Sequence, residues 1–264
     1  MTTKIHTKVM GQGKPVALLH GLFGQGSNLQ TVATALADEY QVLLLDLPNH
    51  GRSEWTDRTD LASMAESISA ALDEQGVDEL ALVGHSLGGK VAMQLALSRG
   101  ERVAALAVAD IAPVTYAERR HDHIFEGLHA VAEMAPRSRR EAIDTLLEHV
   151  DEQGVAEFLA LSLERDERKN YSRWRFNVDA LERGYQYVLA APGDASTRAY
   201  EGAVLFIKGA LSDYLRGEHQ GEVQALFPKA RVKVMADCGH WLHAQQPRLF
   251  NNIVRRFLTR HYPV

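Results

Sequence analysis

Runs of β-branched and leucine residues recur through the first 110 positions: PVALLH at 15–20, QVLLLD at 41–46, ELALVG at 79–84 and VAALAVAD at 103–110. A run apolar at nearly every position is buried on both faces, which is the pattern of strands inside a mostly parallel sheet. Between these runs, 28–39, 60–75 and 86–99 carry apolar residues at helical spacing, each ending near a glycine or the next strand. Strands alternating with helices predict an α/β layered domain.

The alternation stops after Pro113. From there to about residue 195 no convincing strand is readable, but helical runs cover 117–134, 138–151 and 155–169. Strand-like runs resume at AVLFIKG (203–209) and ARVKVMAD (230–237), and an amphipathic helix from about Arg248 to Arg260 closes the chain. The predicted organisation is a core of residues 1–112 and 196–264 split by a helical lid, or cap, at 113–195. Charge follows the same division, because the whole net charge of −5 lies within 113–195. The densely charged stretch ERDERKNYSR (164–173) reads as a solvated helix end or a mobile lid loop.

Length and composition narrow the classes. The chain has 264 residues, enough to bury a core in one domain with an insertion, and needs neither disulfides nor metals to hold together. Its single cysteine, Cys238, cannot form an internal bridge, and the first residues lack the apolar stretch of a secretory signal, so the expected location is the cytoplasm. No run approaches the roughly 18 to 20 apolar residues of a membrane span. Lysine and arginine are dispersed and the balance is acidic, which argues against nucleic-acid binding.

The segment with the most chemistry is LALVGHSLGGKVAMQLAL (80–97), where a strand ends in Gly84-His85-Ser86-Leu87-Gly88 and a helix begins at once. Gly-x-Ser-x-Gly between strand and helix is the nucleophile elbow. The turn strains the serine backbone, and side chains at the two glycines would collide with the neighbouring strand and helix. The helix also aims its first amides at the site, so the Leu87 N–H is one candidate oxyanion donor. A second donor is expected from the loop after an earlier strand. His20-Gly21-Leu22-Phe23-Gly24 follows PVALL at that place, with the Leu22 amide preferred and Phe23 next. His20 itself reads as a brace for the loop.

The base should be a histidine after a late strand. VKVMADCGHWLHAQQP (232–247) offers His240, just beyond the strand end, and His243, nearer the last helix. The order serine, carboxylate, histidine leaves two acids open: Asp110, which ends VAALAVAD, and Asp213, in the loop after AVLFIKG.

HGLFG at 20–24, DLPNHGRS at 46–53, GHSLGGK at 84–90, DIAPVTY at 110–116, RRHDHIF at 119–125, WRFN at 174–177 and GHWLHAQQP at 239–247 together resemble the YbfF-type bacterial esterases of the α/β-hydrolase superfamily. The resemblance covers nearly the whole chain. It implies an α/β-hydrolase fold, a mostly parallel central sheet flanked by helices with a helical lid, and it points to Asp110 as the acid. The usual hydrolase acid position is here Ser212. The resemblance also implies short-chain ester or acyl-CoA substrates. The acidic lid gives little long-range attraction for a polyanionic CoA unless Arg119-Arg120 or Arg137-Arg139-Arg140 supplies it locally.

Other residues carry weaker readings. Asn49-His50-Gly51-Arg52-Ser53 reads as a structural turn, with His50 near the pocket rim. Phe23, Leu87 and Trp241 are expected pocket walls, joined by Trp174 if the lid faces the cleft. Cys238 reads as a small packed residue beneath the His240 loop. His121 and His123 lack a ligand pattern, so neither metal nor cofactor is expected.

The predicted enzyme is a serine esterase for small-molecule esters or thioesters, with Ser86 as nucleophile, His240 as base and Asp110 as orienting acid. Two other readings use the same residues: a carbon–carbon bond hydrolase or lyase, and a ligand-binding receptor or pseudoenzyme that keeps the triad. A dehalogenase or epoxide hydrolase would need aspartate in place of Ser86.

Overall fold

The computed structural model describes residues 2–166, 171–194 and 196–264. In chain order the elements are β1 (Thr7–Met10), β2 (Pro15–Leu19), α1 (Gln30–Leu36), β3 (Gln41–Leu45), α2 (Leu61–Glu74), β4 (Leu80–His85), α3 (Leu87–Ser98) and β5 (Val103–Ala109). The chain then leaves the sheet for α4 (Asp122–Met134), α5 (Arg139–Leu146), α6 (Gln153–Ala160), β6 (Leu163–Asp166), β7 (Tyr171–Trp174), α7 (Val178–Arg183) and α8 (Tyr185–Leu189). It returns with β8 (Ala203–Gly209), α9 (Gln220–Leu226), β9 (Ala230–Met235), α10 (Leu242–Gln245) and α11 (Pro247–His261).

The sheet order is β1-β3-β2-β4-β5-β8-β9, with β1 antiparallel to β3 and every other pairing parallel. The doubly apolar strand pattern has a direct structural cause. On β2, Ala17 and Leu19 pack into the α2–α3 layer while Val16 and Leu18 pack into the α1–α11 layer. On β4, Leu80 and Leu82 take the first side and Ala81 and Val83 the second. Alternate residues thus enter two separate cores, and no face of these strands is left for polar residues. β1 escaped the sequence reading because it is a short edge strand with an exposed centre.

The insertion corrects one expectation. The run 155–169 is helical only to Ala160, after which β6 and β7 form a two-stranded antiparallel ribbon. Its pairing sets Glu164 opposite Arg173, and Glu164 also bonds Arg175 at 2.6 Å, so opposite charges meet across the ribbon. The buried Trp174 ring, donating from Nε1 to the Leu128 carbonyl at 3.0 Å, fixes the ribbon to α4. The charged stretch at 164–173 is thus ribbon in its described part, and residues 167–170 lie outside the described residues.

Lys90 joins the insertion to the core. It projects from α3 into the interior and is 2% exposed. Its Nζ donates to the carbonyls of Val114 at 3.1 Å, Leu189 at 2.6 Å and Ala190 at 2.6 Å, and lies 4.8 Å from the Tyr116 ring centroid. Val114 belongs to the chain's exit from the sheet and Leu189–Ala190 to its return, so one amine ties both stalks to the helix that follows Ser86. Among the described residues no helix is long and apolar enough to cross a membrane.

Candidate active site

Backbone strain is concentrated on one edge of the sheet. Of the six non-glycine residues with positive φ among the described residues, five follow the end of a sheet strand: Phe23 (61°), Asn49 (66°), Ser86 (52°), Asp110 (52°) and Asp237 (53°). Such conformations cost about 1–3 kcal/mol each and persist only where surrounding structure over-determines them. Here the carboxyl ends of β2, β3, β4, β5 and β9 all bend sharply, and three of the bends carry Phe23, Ser86 and Asp110.

Glycines explain how the bends pack. A Cβ on Gly84 would strike the Gly88 carbonyl, and one on Gly88 would strike the Leu19 carbonyl at the end of β2. The first turn of α3 therefore sits directly on strand backbone, and Ser86 is held above it. A Cβ on Gly21 would come within 3.0 Å of His85 Nδ1 and 3.3 Å of Ser86 Cβ, so loop 20–24 lies against the serine. Neither Leu22 N–H nor Leu87 N–H has a hydrogen-bond partner among the described residues. The Phe23 amide, the other candidate donor, is occupied because it donates to His50 Nε2 at 3.1 Å.

The two acid candidates are separated by their partners. Asp110 is fully buried, and its Oδ2 lies 2.8 Å from His240 Nδ1. The Gly209 amide donates to Asp110 Oδ1 at 2.9 Å, and the Ser212 hydroxyl donates to Oδ2. Asp213 instead faces outward, its Oδ2 2.7 Å from Arg120 Nη1. Against the upward push of partial burial, the Arg120 hydrogen bond and charge hold the Asp213 carboxyl below its ordinary range. His240 is further held between the Tyr214 ring, 4.2 Å away between centroids, and the His85 ring, 4.8 Å away.

Buried imidazoles surround this core and serve as scaffolding. His20 accepts the Leu47 amide on Nε2 at 2.9 Å and donates from Nδ1 to the Gly21 carbonyl at 2.8 Å. His50, expected near the rim, is instead fully buried and receives the Phe23 amide. Burial drives its pKa down to about 3, so its ring stays neutral and Nε2 remains an acceptor. His85 donates from Nε2 to the His240 carbonyl at 2.9 Å, and burial holds it far below the ordinary histidine value. His243 packs its buried ring against His85 and Phe250, away from the cleft. Cys238 is fully buried in the α11-side core, and burial raises its thiol pKa.

Ser86 and His240 open into one cleft with Leu22, Phe23 and Trp241, roofed by Ile124 of α4 and Val155, Phe158 and Leu159 of α6. The cleft is small, about 30 Å³. Trp174 does not reach it; the ring stacks on Phe176 inside the insertion. Leu87 contributes its backbone at the elbow while its side chain is core. His121, set aside as a metal ligand, lines the cleft, whereas His123 faces solvent. A signal for Lys90 existed in the sequence, since it shares a helical face with the buried Leu87 and Met93. No periodicity marks Ser212, Tyr214 or His121, which meet the site only through tertiary packing.

Residues 14–247 match the family described as alpha/beta hydrolase fold. The chain is 36% identical to Esterase YbfF of Escherichia coli, covering 93% of both proteins. It is 34% identical to the sn-1-specific diacylglycerol lipase ABHD11 of Mus musculus, over 92% of this chain and 80% of that one. A solved structure of a marine microorganism esterase superposes with a TM-score of 0.93 at 32% identity, covering 97% of this chain and all of the other. With the parallel sheet and the strand–serine–helix turn, these similarities identify the chain as a member of the α/β-hydrolase family and a serine hydrolase.

Proposed function

We propose that this is a cytoplasmic esterase that hydrolyses carboxylic esters or thioesters through an acyl-enzyme on Ser86. The observation that carries the reading is the Asp110 carboxylate bonded at 2.8 Å to Nδ1 of a histidine that shares a cleft with Ser86. That bond leaves a proton on Nδ1 and the Nε2 lone pair free to act as base. His240 Nε2 takes the Ser86 hydroxyl proton as Oγ attacks the acyl carbon. The resulting oxyanion receives the Leu22 and Leu87 amides, which are preorganised donors beside a helix N-terminus. The intermediate collapses, the carbon–oxygen or carbon–sulfur bond breaks, and the leaving group takes the proton from His240. Water, deprotonated by the same nitrogen, then attacks the acyl carbon, the bond to Ser86 Oγ breaks, Oγ takes the proton back from His240, and the acid is released.

Residues 113–195 act in this reading as a cap. The small cleft and the apolar roof of α4 and α6 support it, because an acyl chain larger than the present space needs those helices to shift. The relatives named esterase and lipase support ester chemistry, and the single buried thiol is compatible with a reducing compartment. Initial rates on p-nitrophenyl esters from acetate to palmitate, with Ser86→Ala alongside, test the reading. Turnover should fall on the order of 10⁶-fold in the variant. An inactive wild type, or a variant that keeps its rate, would remove it in favour of the carbon–carbon hydrolase, lyase or receptor alternatives.

A further inference from the structure

Besides His85, which braces the His240 carbonyl, the cleft is lined by a second histidine that the acyl-enzyme cycle does not use. His121 stands at the start of α4, half-buried, and lines the cleft together with Ser86 and His240. Its Nδ1 is bonded to the hydroxyl of Tyr185, whose ring is fully buried and meets the imidazole edge-on at 5.5 Å. Burial, with Tyr214 and Asp122 nearby, raises the Tyr185 phenol pKa, so the hydroxyl keeps its proton and is available to donate to Nδ1. With Tyr185 as the donor the imidazole hydrogen sits on Nε2, for which no hydrogen-bond partner is found among the described residues. The Phe23 ring, 6.3 Å away between centroids, and the apolar Ile124 share this part of the cleft, and neither can satisfy a donor. Burial and the nearby His240 lower the His121 pKa to about 4, so the ring is neutral at physiological pH.

We propose that His121 is a specificity residue whose Nε2–H hydrogen-bonds a neutral acceptor oxygen on the substrate, so the site favours esters or thioesters carrying an ether or keto oxygen close to the scissile carbonyl. The inference rests on the Ser86 reading above. A neutral donor in an apolar cleft discriminates mainly by being left unpaired, because an all-carbon chain in the same place buries the N–H with nothing to receive it. A carboxylate would have to be desolvated there without a cation, since Arg120 is engaged by Glu118 and Asp213.

Matched esters in which one CH₂ becomes oxygen test this. On the acyl side the pair is p-nitrophenyl methoxyacetate and butyrate; on the alcohol side it is 2-methoxyethyl and n-butyl butyrate. In His121→Phe the oxygen-to-carbon ratio of kcat/KM should fall about 10-fold in at least one pair, and the pair that responds assigns the side of the substrate. His121→Leu makes the same deletion in a smaller side chain should phenylalanine prevent folding. Tyr185→Phe, which frees the tautomer, should lower the ratio several-fold, and His121→Gln, which keeps a donor, should restore part of it. An unchanged ratio in both pairs, with turnover that still depends on Ser86, overturns the inference alone. Absent wild-type turnover, or turnover that survives Ser86→Ala, overturns the Ser86 reading and the inference with it.

Discussion

The carboxyl edge of the sheet and the insertion above it enclose the same cleft but are held by different forces. At the sheet edge the positions of Ser86 and Asp110 are fixed by backbone: the Ser86 amide donates to Ala109 at 3.0 Å, the Asp110 amide to Ile207 at 2.8 Å, and glycines permit contacts that any side chain would forbid. In the insertion side-chain packing carries more of the contact, beside the β6–β7 ribbon and a backbone bond from Asn177 N–H to the Asn49 carbonyl at 2.9 Å. Aromatic edges link Phe23, Phe125 and Tyr185, and exposed ion pairs such as Arg119–Asp122 and Arg140–Asp144 decorate the outside. Solvent screens those pairs, so they contribute little to holding the insertion in place. Backbone constraints keep reacting atoms in place, while side-chain packing can shift with the ligand, and the division suits an enzyme whose chemistry is fixed and whose selectivity lies in its roof.

The hardest test of that division compares two aspartates. Asp110→Asn replaces the carboxylate that fixes the His240 tautomer and should lower kcat by about 10⁴-fold, the loss typical of an amide in this role. Asp213→Asn removes only a surface partner of Arg120 and should leave kcat within a factor of a few. Steady-state rates on a short-chain ester decide it, and the reverse ranking would shift the acid to the loop after β8.

The same two aspartates show what was legible in the sequence. The strands PVALL, QVLLL, LALVGH and VAALAVA were readable because burial on both faces leaves an unbroken apolar run, and Ser86 because its glycines are a local steric requirement. Asp110 and Asp213 both follow strands at the same edge, so sequence order alone left them equal. What separates them is the direction of each side chain, set by φ 52° at Asp110 and by the pull of Arg120 on Asp213. His50, expected near the rim, is buried for a related reason: a histidine's role depends on which atoms face its two nitrogens, and those come from residues far away in the chain. The ribbon of β6 and β7 was missed because its pairing depends on Trp174 reaching α4 and on charges meeting across strands, neither of which leaves a periodic trace.

Lys90 is where the two regions meet, and it sharpens the comparison through stability. Burial lowers its pKa to about 7, far below its value in an unfolded chain. Between pH 7 and 10 the unfolded state therefore binds more protons at this residue than the folded state does, and stability rises with pH. Below pH 7 both states hold the proton and the slope vanishes. Lys90→Met removes the donor to the Val114 and Ala190 carbonyls, while Leu189 keeps only the Tyr116 amide, and should destabilise the protein by about 2–4 kcal/mol. The gap between wild type and variant should then widen by about 1.4 kcal/mol per pH unit from pH 7 to 9. Urea denaturation of both proteins at the two pH values measures it, and parallel curves would mean that the amine keeps its proton inside the fold.

The smallest expected effect concerns Ser212, which occupies the position where many relatives of this fold carry the acid. Its hydroxyl donates to the same Asp110 oxygen that receives His240, so it competes for electron density on Oδ2 while holding the carboxylate in register with Nδ1. Ser212→Ala leaves Asp110 with the Gly209 amide and His240 alone. Orientation should loosen and kcat fall by about 10-fold, a charge-assisted hydrogen bond's worth of positioning, while KM stays near its wild-type value because no substrate contact is lost. A Ser212→Ala enzyme that loses as much as Asp110→Asn would mean that the carboxylate is held chiefly by this hydroxyl, and that the edge of the sheet is less rigid than its backbone bonds imply. An unchanged kcat would mean the opposite, that the bend at Asp110 and the Gly209 amide are sufficient by themselves.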